Sequence, residues 1–367
     1  MNILYISHLT YNKSEGPNNS VPAQVKAQSN FDNVFWWNLT EATQEHWIET
    51  GLFHGVKEFP NKSIRYLPSP FNKPDLVVFE SFYYLDDVFH SLECRIRKIP
   101  YVITTRGALT WQGQSQKKIK KKIANFLLFR SMVTHAASIQ YLTNQEYYDS
   151  GDKWNKNHFI VPNGTYQRKG INYLSKDRSN SSTTIKGVCI GRFDPYQKGL
   201  DLLLEAVDKK KDVLRKNAIT ISLYGPKRMN CREDYAKQIS ERNLDDILIV
   251  RDGVFGEEKD IVLREADFFI MTSRFEGMPM SMIEAMSYGL PCFATTGTNL
   301  ADEIRERNAG WTCETTIDGI SDCLDALAHD IEKISEFGKN AIMLSKGFDW
   351  NEIGRRTHEE YEKIVLK

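Results

Sequence analysis

Four side chains in the second half of the chain have the types and spacing to act on a charged, polyhydroxylated substrate: Arg192, Lys198, Glu276 and Glu284. Arg192 and Lys198 sit in Gly191-Arg192-Phe193-Asp194-Pro195-Tyr196-Gln197-Lys198-Gly199, so one loop delivers both cations. A diphosphate gains negative charge as it leaves, and paired cations are what stabilise it. An isolated Arg and Lys would more often be solvated surface groups. The strand read before this loop and the helix read after it shift the weight toward phosphate binding.

Glu276 and Glu284 belong to Ser273-Arg274-Phe275-Glu276-Gly277-Met278-Pro279-Met280-Ser281-Met282-Ile283-Glu284-Ala285-Met286, closed by Gly289 and Pro291. Pro279 suits the first turn of a helix, and the loop Gly277, Met278, Pro279, Met280 can aim backbone N–H groups at an anion beside the positive helix end. Glu276 would then stand near a sugar. Glu284, about one turn into the helix, could accept hydrogen bonds from a ribose diol. The competing reading makes Glu276 a helix cap and Glu284 a surface residue.

Strands alternating with helices must position these groups. Strands are expected at Asn2–Ser7, Leu76–Glu80, Tyr101–Thr105, Ala137–Leu142, Lys186–Ile190, Thr220–Tyr224, Ile247–Val250, Phe268–Thr272 and Cys292–Thr295. Helices are expected from Val21, over Gln116–Met132, from Gly199, from Ser281 and over Phe348–Lys367. This α/β alternation implies parallel sheets covered on both faces, with ligands beyond the carboxyl ends of the strands. The expected fold is two Rossmann-like domains facing each other across a cleft. Residues 1–165 form a first domain, 166–184 a polar linker, 185–347 a second domain and 348–367 a last helix; the resemblance set out below implies an acceptor-side first domain, a nucleotide-sugar-binding second domain and a last helix that packs back on the first.

With 367 residues, two domains are the natural reading. The 48 basic and 48 acidic side chains balance, which disfavours a nucleic-acid partner. Six scattered cysteines form no C-x-x-C pair, so neither a disulfide framework nor a metal site is suggested. Met1 to Ser7 is too short for a signal peptide or a membrane span, and a cytoplasmic protein is expected. The segment after the first strand lacks Gly-x-Gly-x-x-Gly, which argues against a dehydrogenase.

The pattern Gly-Arg-Phe-x(4)-Lys-Gly, followed by Ser-x-x-Glu-Gly-x(6)-Glu-Ala-Met-x-x-Gly-x-Pro, resembles glycosyltransferase family 4, the retaining enzymes of GT-B fold, in its bacterial surface-polysaccharide type. Thr105-Arg106-Gly107-Ala108-Leu109 and Val161-Pro162-Asn163-Gly164 extend the resemblance into the first half. It implies that Arg192 and Lys198 hold the donor diphosphate, Glu276 lies near the donor sugar and reaction centre, and Glu284 binds the ribose. Gly225 and Val254 would flank the nucleobase, with Gly277, Met278, Pro279 and Met280 completing the donor site. Gly16, Arg106 and Gly107 would lie on the acceptor or phosphate side.

Two positions depart from the family. Arg106 stands where many members carry histidine, leaving phosphate contact and a buried ion pair as alternatives, and Gly16-Pro17 stands where adjacent glycines are common. Retention is implied by the resemblance. The chain offers no recognisable attacking carboxylate for double displacement, so front-face substitution fits. With no Asp-x-Asp in the sequence, no metal or other cofactor is expected, and the donor cations would take over charge neutralisation.

The expected activity is therefore transfer of a sugar from a nucleotide-diphosphate donor, UDP favoured, to a saccharide or lipid-linked saccharide. The alternatives are a nucleotide-sugar epimerase of the same fold and a non-catalytic nucleotide-sugar binder. Lys117 to Phe129 joins a lysine cluster to large apolar residues at helical spacing. That pattern suits an anionic membrane surface and equally an amphipathic helix packed on a core.

Overall fold

The computed structural model describes residues 1–12, 16–115, 118–167, 184–226 and 231–366. The chain divides into two compact units, one of Met1–Gly164 with Trp350–Lys367, the other of Thr165–Asp349. Most of the expected linker and the expected positions Gln116 and Lys117 lie outside the described residues.

The first unit holds seven parallel strands: β1 (Asn2–Ser7), β2 (Asn33–Asn38), β3 (Phe53–Gly55), β4 (Leu76–Phe79), β5 (Tyr101–Thr104), β6 (Ser138–Tyr141) and β7 (His158–Ile160). Their order is β3-β2-β1-β4-β5-β6-β7. The helices between them are α1 (Pro17–Gln28), α2 (Glu45–Ile48), α3 (Leu85–Arg97), α4 (Trp111–Ser115), α5 (Lys118–Ala124), α6 (Arg130–Thr134) and α7 (Asn144–Ser150). A π-helical turn, Asn125–Phe129, joins α5 to α6. The first helix begins four residues before the expected Val21, because Pro17 at the first helical position gives up an N–H that has no intrahelical partner there.

The second unit repeats the plan with β8 (Ile185–Ile190), β9 (Ile219–Tyr224), β10 (Leu248–Arg251), β11 (Phe268–Met271), β12 (Cys292–Thr295) and β13 (Gly310–Cys313). These are also parallel, in the order β10-β9-β8-β11-β12-β13. Their helices are α8 (Leu200–Lys216), α9 (Cys231–Glu241), α10 (Gly256–Glu265), α11 (Met280–Ser287), α12 (Ala301–Glu306), α13 (Ile317–His329) and α14 (Ile334–Ser345). The final helix, α15 (Trp350–Val365), packs on α1 in the first unit.

Both faces of each sheet are covered, which is why the strands read as near-continuous apolar runs. On β11, Phe268 and Ile270 join α8 and α13 in one core, while Phe269 and Met271 join α11 in another. In the first unit Leu4 and Ile6 pack in a core with Phe35, Trp37, Val77 and Phe79. Burial of each such side chain contributes roughly 1.5–3 kcal/mol. The two sheets share one topology, that of a Rossmann-like domain, with the strand order reversing between β1 and β4 and between β8 and β11. Such a switch point is where ligands of open α/β sheets bind. All six cysteines are free thiols, and among the described residues no helix is long and apolar enough to cross a membrane.

Candidate active site

In the second unit the switch point is formed by two loops, residues 191–199 after β8 and 272–279 after β11. Asp194 folds the first loop back on itself: its carboxylate accepts from the Gln197 N–H at 3.1 Å, and its carbonyl accepts from the Lys198 N–H at 2.9 Å. Gly199 ends the loop at φ +60°, where a side chain is strained, and an added Cβ would stand 2.0 Å from the Thr272 carbonyl oxygen. Only glycine lets the two loops approach this closely.

Once close, the loops are stitched together. The Thr272 hydroxyl donates to the Lys198 carbonyl at 3.0 Å, and the Arg274 N–H donates to the Gln197 carbonyl at 2.9 Å. The Arg274 guanidinium donates to both Asp201 oxygens at 2.6 and 2.7 Å and lies 4.6 Å from the centre of the Tyr196 ring. Bidentate pairing of this kind fixes direction as well as distance.

At the centre, Lys198 Nζ lies 2.6 Å from Glu276 Oε1, with the two side chains 12% and 9% exposed. The buried Ser273 hydroxyl donates to the same Glu276 oxygen at 2.6 Å, and the Asn299 amide donates to the Glu276 carbonyl. Glu276 is thus held by Lys198 and Ser273 at one carboxylate oxygen and by Asn299 at its carbonyl. Arg192 is exposed and donates to the Gln197 amide oxygen at 3.2 Å, and the Gln197 amide in turn donates to the Phe275 carbonyl at 3.5 Å. Arg192 and Lys198 line one small hollow together with Gly191, Tyr224 and Met271.

The remaining positions that the resemblance assigns to the donor are placed as follows. Gly225 follows β9, and a Cβ there would come within 2.6 Å of the Gly191 carbonyl, so the missing side chain lets the exit of β9 reach the first loop. Val254 packs partly against the α11-side core, as does Met278. Gly277 faces open space, with nothing within 4 Å of an added Cβ. Pro279 caps α11 from outside, one position before the expected first turn, and Met280 opens the helix. Glu284 lies four positions further on, its Oε2 2.8 Å from Lys259 Nζ of α10.

Lys198 and Glu276 are therefore in contact and Arg192 lines one hollow with Lys198, while Glu284 is paired toward α10. The sequence reading missed Ser273, Asn299 and Lys259. Ser273 alone left a signal, lying in the same motif three residues before Glu276.

In the first unit, Gly16 caps α1, its carbonyl accepting from the Asn19 and Ser20 N–H groups at 3.1 and 3.0 Å. Arg106 realises the ion-pair alternative. It donates to Glu80 Oε2 from Nη2 at 2.6 Å, and to Gln24, Ser20 and Asn163 at 3.0, 3.0 and 3.4 Å. The Gly107 N–H donates to Glu146, whose carboxyl is raised above its ordinary range by burial, against four stabilising contacts.

The two Rossmann-like units have the GT-B architecture, and residues 185–333 of the second match the family described as Glycosyl transferases group 1: the protein is a glycosyltransferase. An uncharacterized glycosyltransferase of Methanocaldococcus jannaschii is 26% identical over 263 residues, covering 70% of this chain and 68% of its own. Among solved structures, the sucrose-phosphate synthase of Thermosynechococcus elongatus aligns with TM-score 0.74 at 16% identity, over 100% of this chain and 99% of its own. HepE of Anabaena, solved with UDP-glucose, aligns with TM-score 0.74 at 14% identity, over 99% of this chain and 100% of its own.

Proposed function

We propose that the protein is a retaining glycosyltransferase of family 4 that transfers a sugar from a UDP-sugar to a saccharide acceptor, a lipid-linked intermediate of surface-polysaccharide synthesis. The observation that carries this reading is the contact of Lys198 with Glu276 at the β8/β11 switch point. A cation for the leaving phosphate and a carboxylate for sugar hydroxyls stand side by side at the place where such sheets bind ligands. That HepE was solved with UDP-glucose supports UDP as the nucleotide.

In this reading the donor diphosphate draws the Lys198 ammonium and the Arg192 guanidinium onto its oxygens, and Glu276 turns to the hydroxyls of the donor sugar. The Gly277 and Met278 N–H groups of the Gly277–Met280 loop turn to the phosphates, Glu284 exchanges Lys259 for the ribose diol, and Gly225 and Val254 border the base. The bond from the anomeric carbon to the phosphate oxygen breaks as the acceptor oxygen bonds that carbon on the same face. The acceptor proton passes to the departing phosphate. Two cations already face the developing charge, so transfer needs no divalent metal, and a chelator leaves the rate unchanged.

Gly16, Arg106 and Gly107 belong to the acceptor side, with Arg106 holding Glu80, Gln24 and Ser20 in place. The lysine-rich segment that begins at Lys117 and runs to Phe129 binds an anionic membrane surface on the cytoplasmic side.

Incubation with a panel of UDP-, GDP- and dTDP-sugars tests the reading. Slow release of UDP from one UDP-sugar, and an α-linked product from an α-linked donor once an acceptor is supplied, are the expected results. Interconversion of the sugar with no nucleotide diphosphate released would make the protein an epimerase. Tight binding without turnover would make it a sensor.

A further inference from the structure

His8 follows β1 directly, at the switch point of the first sheet. The two sheets share one topology, so β1 and β4 correspond to β8 and β11, the strands whose following loops carry Lys198 and Glu276. In the first unit the corresponding places hold His8 after β1 and Ser81, Tyr84, Asp86 and Asp87 after β4. Ligands of open α/β sheets bind at such a point.

A chain of hydrogen bonds holds the imidazole. Its Nδ1 lies 3.2 Å from the Ser81 hydroxyl, which donates to Asp87 Oδ2 at 3.1 Å. Because Ser81 gives its proton to Asp87, its oxygen accepts from the Nδ1–H, and the ring's lone pair is left on Nε2. The Tyr84 ring lies nearly parallel to the imidazole, with centroids 3.9 Å apart, and fixes its tilt. Helix α3 supplies the surroundings by turning Asp87, His90, Ser91 and Cys94 inward and leaving Leu85, Phe89, Leu92 and Ile96 exposed.

What the imidazole lacks is a partner at Nε2, an atom that is buried and hydrogen-bonded to nothing. Buried polar atoms are nearly always paired. His90, also buried, keeps that rule: its Nδ1 meets the Asp86 carbonyl at 2.7 Å and its Nε2 the Lys62 carbonyl at 3.1 Å. A histidine that only filled space here would be satisfied at both nitrogens, as His90 is.

The surroundings of Nε2 select the missing group. Asp86 Oδ2 lies 3.9 Å from it, beyond hydrogen-bond reach, on a side chain that is 44% exposed, so Nε2 adjoins the surface there. Burial keeps the ring neutral by lowering it to about 3, which leaves Nε2 and the Asp86 carboxylate as two acceptors side by side. An anionic ligand would be repelled, whereas hydroxyls donate to both. Tyr84, also partly exposed, offers an aromatic ring beside them for the apolar face of a sugar.

We propose that His8 is a ligand of the acceptor: the Asp86 side chain swings to admit a saccharide, His8 Nε2 accepts a hydrogen bond from one of its hydroxyls, and Asp86 accepts from the next. Ser81 and Asp87 are positioning residues that hold the tautomer. No proton moves to His8, which orients the hydroxyl while the departing phosphate takes the proton. The proposal rests on the reading of a saccharide acceptor and deepens it by naming the groups that hold it.

Two activities separate donor from acceptor: release of UDP from a UDP-sugar in water alone, and transfer to an added saccharide. Methyl α-glucoside, methyl α-galactoside, methyl α-mannoside and methyl α-N-acetylglucosaminide are the probes. Each is added to the full chain with UDP, and the long-range proton–nitrogen spectrum of its eight histidines is followed, His8 being assigned from His8→Asn. The His8 Nε2 resonance, that of an unprotonated nitrogen in the free protein, should move with at least one of them. His8→Asn keeps an amide N–H where Nδ1 stands and has no atom at Nε2. It should release UDP in water near the wild-type rate while transfer to that saccharide falls at least about tenfold in kcat/KM, chiefly through KM. Ser81→Ala should act in the same direction, and Ser81→Thr, which keeps the hydroxyl, should restore transfer.

If no saccharide moves the His8 resonance while UDP still binds, the inference is overturned and the donor reading stands. Equal loss of UDP release and of transfer in His8→Asn, with Ser81→Thr no better than Ser81→Ala, makes His8 a structural residue and overturns it as well. A chain that binds no UDP sinks the donor reading and this inference with it.

Discussion

Lys198 and Glu276 are 78 positions apart in the chain and 2.6 Å apart in space, and that contact sets what each substitution should do. Glu276→Ala removes a group proposed to touch the donor sugar. It should lower kcat by about 10²–10³, with a much smaller change in affinity for UDP. Lys198→Ala should weaken UDP binding at least about tenfold by calorimetry, and the double variant should fall short of the sum because the residues share one interaction. Near wild-type transfer by both single variants would remove the proposed site.

A second residue-scale prediction concerns Asp87 and His8, whose nearest charged atoms are 3.6 Å apart. Burial raises the Asp87 carboxyl well above its usual range, with the Ser81 hydrogen bond opposing. Burial also lowers the His8 imidazole to about 3, with His90 and Lys62 adding to it, while Asp86 lies 3.9 Å away on the other side. The two signs differ. Asp87 contributes stability below its unfolded value of about 3.9 and loses it as pH rises toward the folded value. His8 contributes above about 6.5 and loses it as pH falls. Asp87→Asn should therefore gain on wild type in stability to denaturant as pH rises above about 3.9, by at most about 1.4 kcal/mol per unit. A difference that stays constant with pH would show the Asp87 carboxyl titrating as it does in the unfolded chain.

At the scale of elements, the loops are placed by glycine, and two glycines should behave oppositely. Gly199→Ala must adopt φ +60° with its Cβ on the Thr272 carbonyl, so it should lower the thermal midpoint by several degrees and weaken donor binding with it. Gly277→Ala meets nothing within 4 Å, so its midpoint should stay near wild type while the donor KM rises. Equal loss of stability in both would mean that the second loop also packs tightly. This is also the scale at which the sequence was partly legible. Strands β1, β8, β11 and β12 are long apolar runs bounded by polar turns, and they were read at nearly their true limits. The three-residue β3, the Asn-flanked β2 and β13, which opens with Gly310 and Trp311, carry too little pattern to stand out. Helix α3 misleads outright, since its apolar stripe points away from the core. Glu276 and its motif were legible because they are local, but Lys259 is an ordinary helix lysine until folding sets it beside Glu284.

At the scale of the whole molecule, the first unit is closed by the last segment of the chain, which is a tertiary dependence no local pattern encodes. Helix α15 buries Trp350, Ile353 and Tyr361 and lies along α1, with Gly354 so close that an added Cβ would stand 2.8 Å from the Ala27 carbonyl. The Tyr361 hydroxyl reaches Tyr5 of β1 and Gln140 of β6 at 3.5 Å each, and His358 reaches Asp32 at 2.9 Å. A leucine at 354 cannot be absorbed by bending a flexible neighbour, because the obstacle is backbone on one side and the Phe31 ring on the other. Gly354→Leu should therefore lift α15 from α1 and expose the edge of the first sheet's core. Hydrogen exchange of the full-length variant should show amides of β1, β2 and β4 losing protection while those of β8, β11 and β12 keep theirs. The proposed donor residues all lie in the second unit, so UDP affinity should remain within a few-fold of wild type while transfer to acceptor falls. Loss of protection across both sheets together would instead mean that the units unfold as one cooperative body, with α15 fastening more than the sheet it covers.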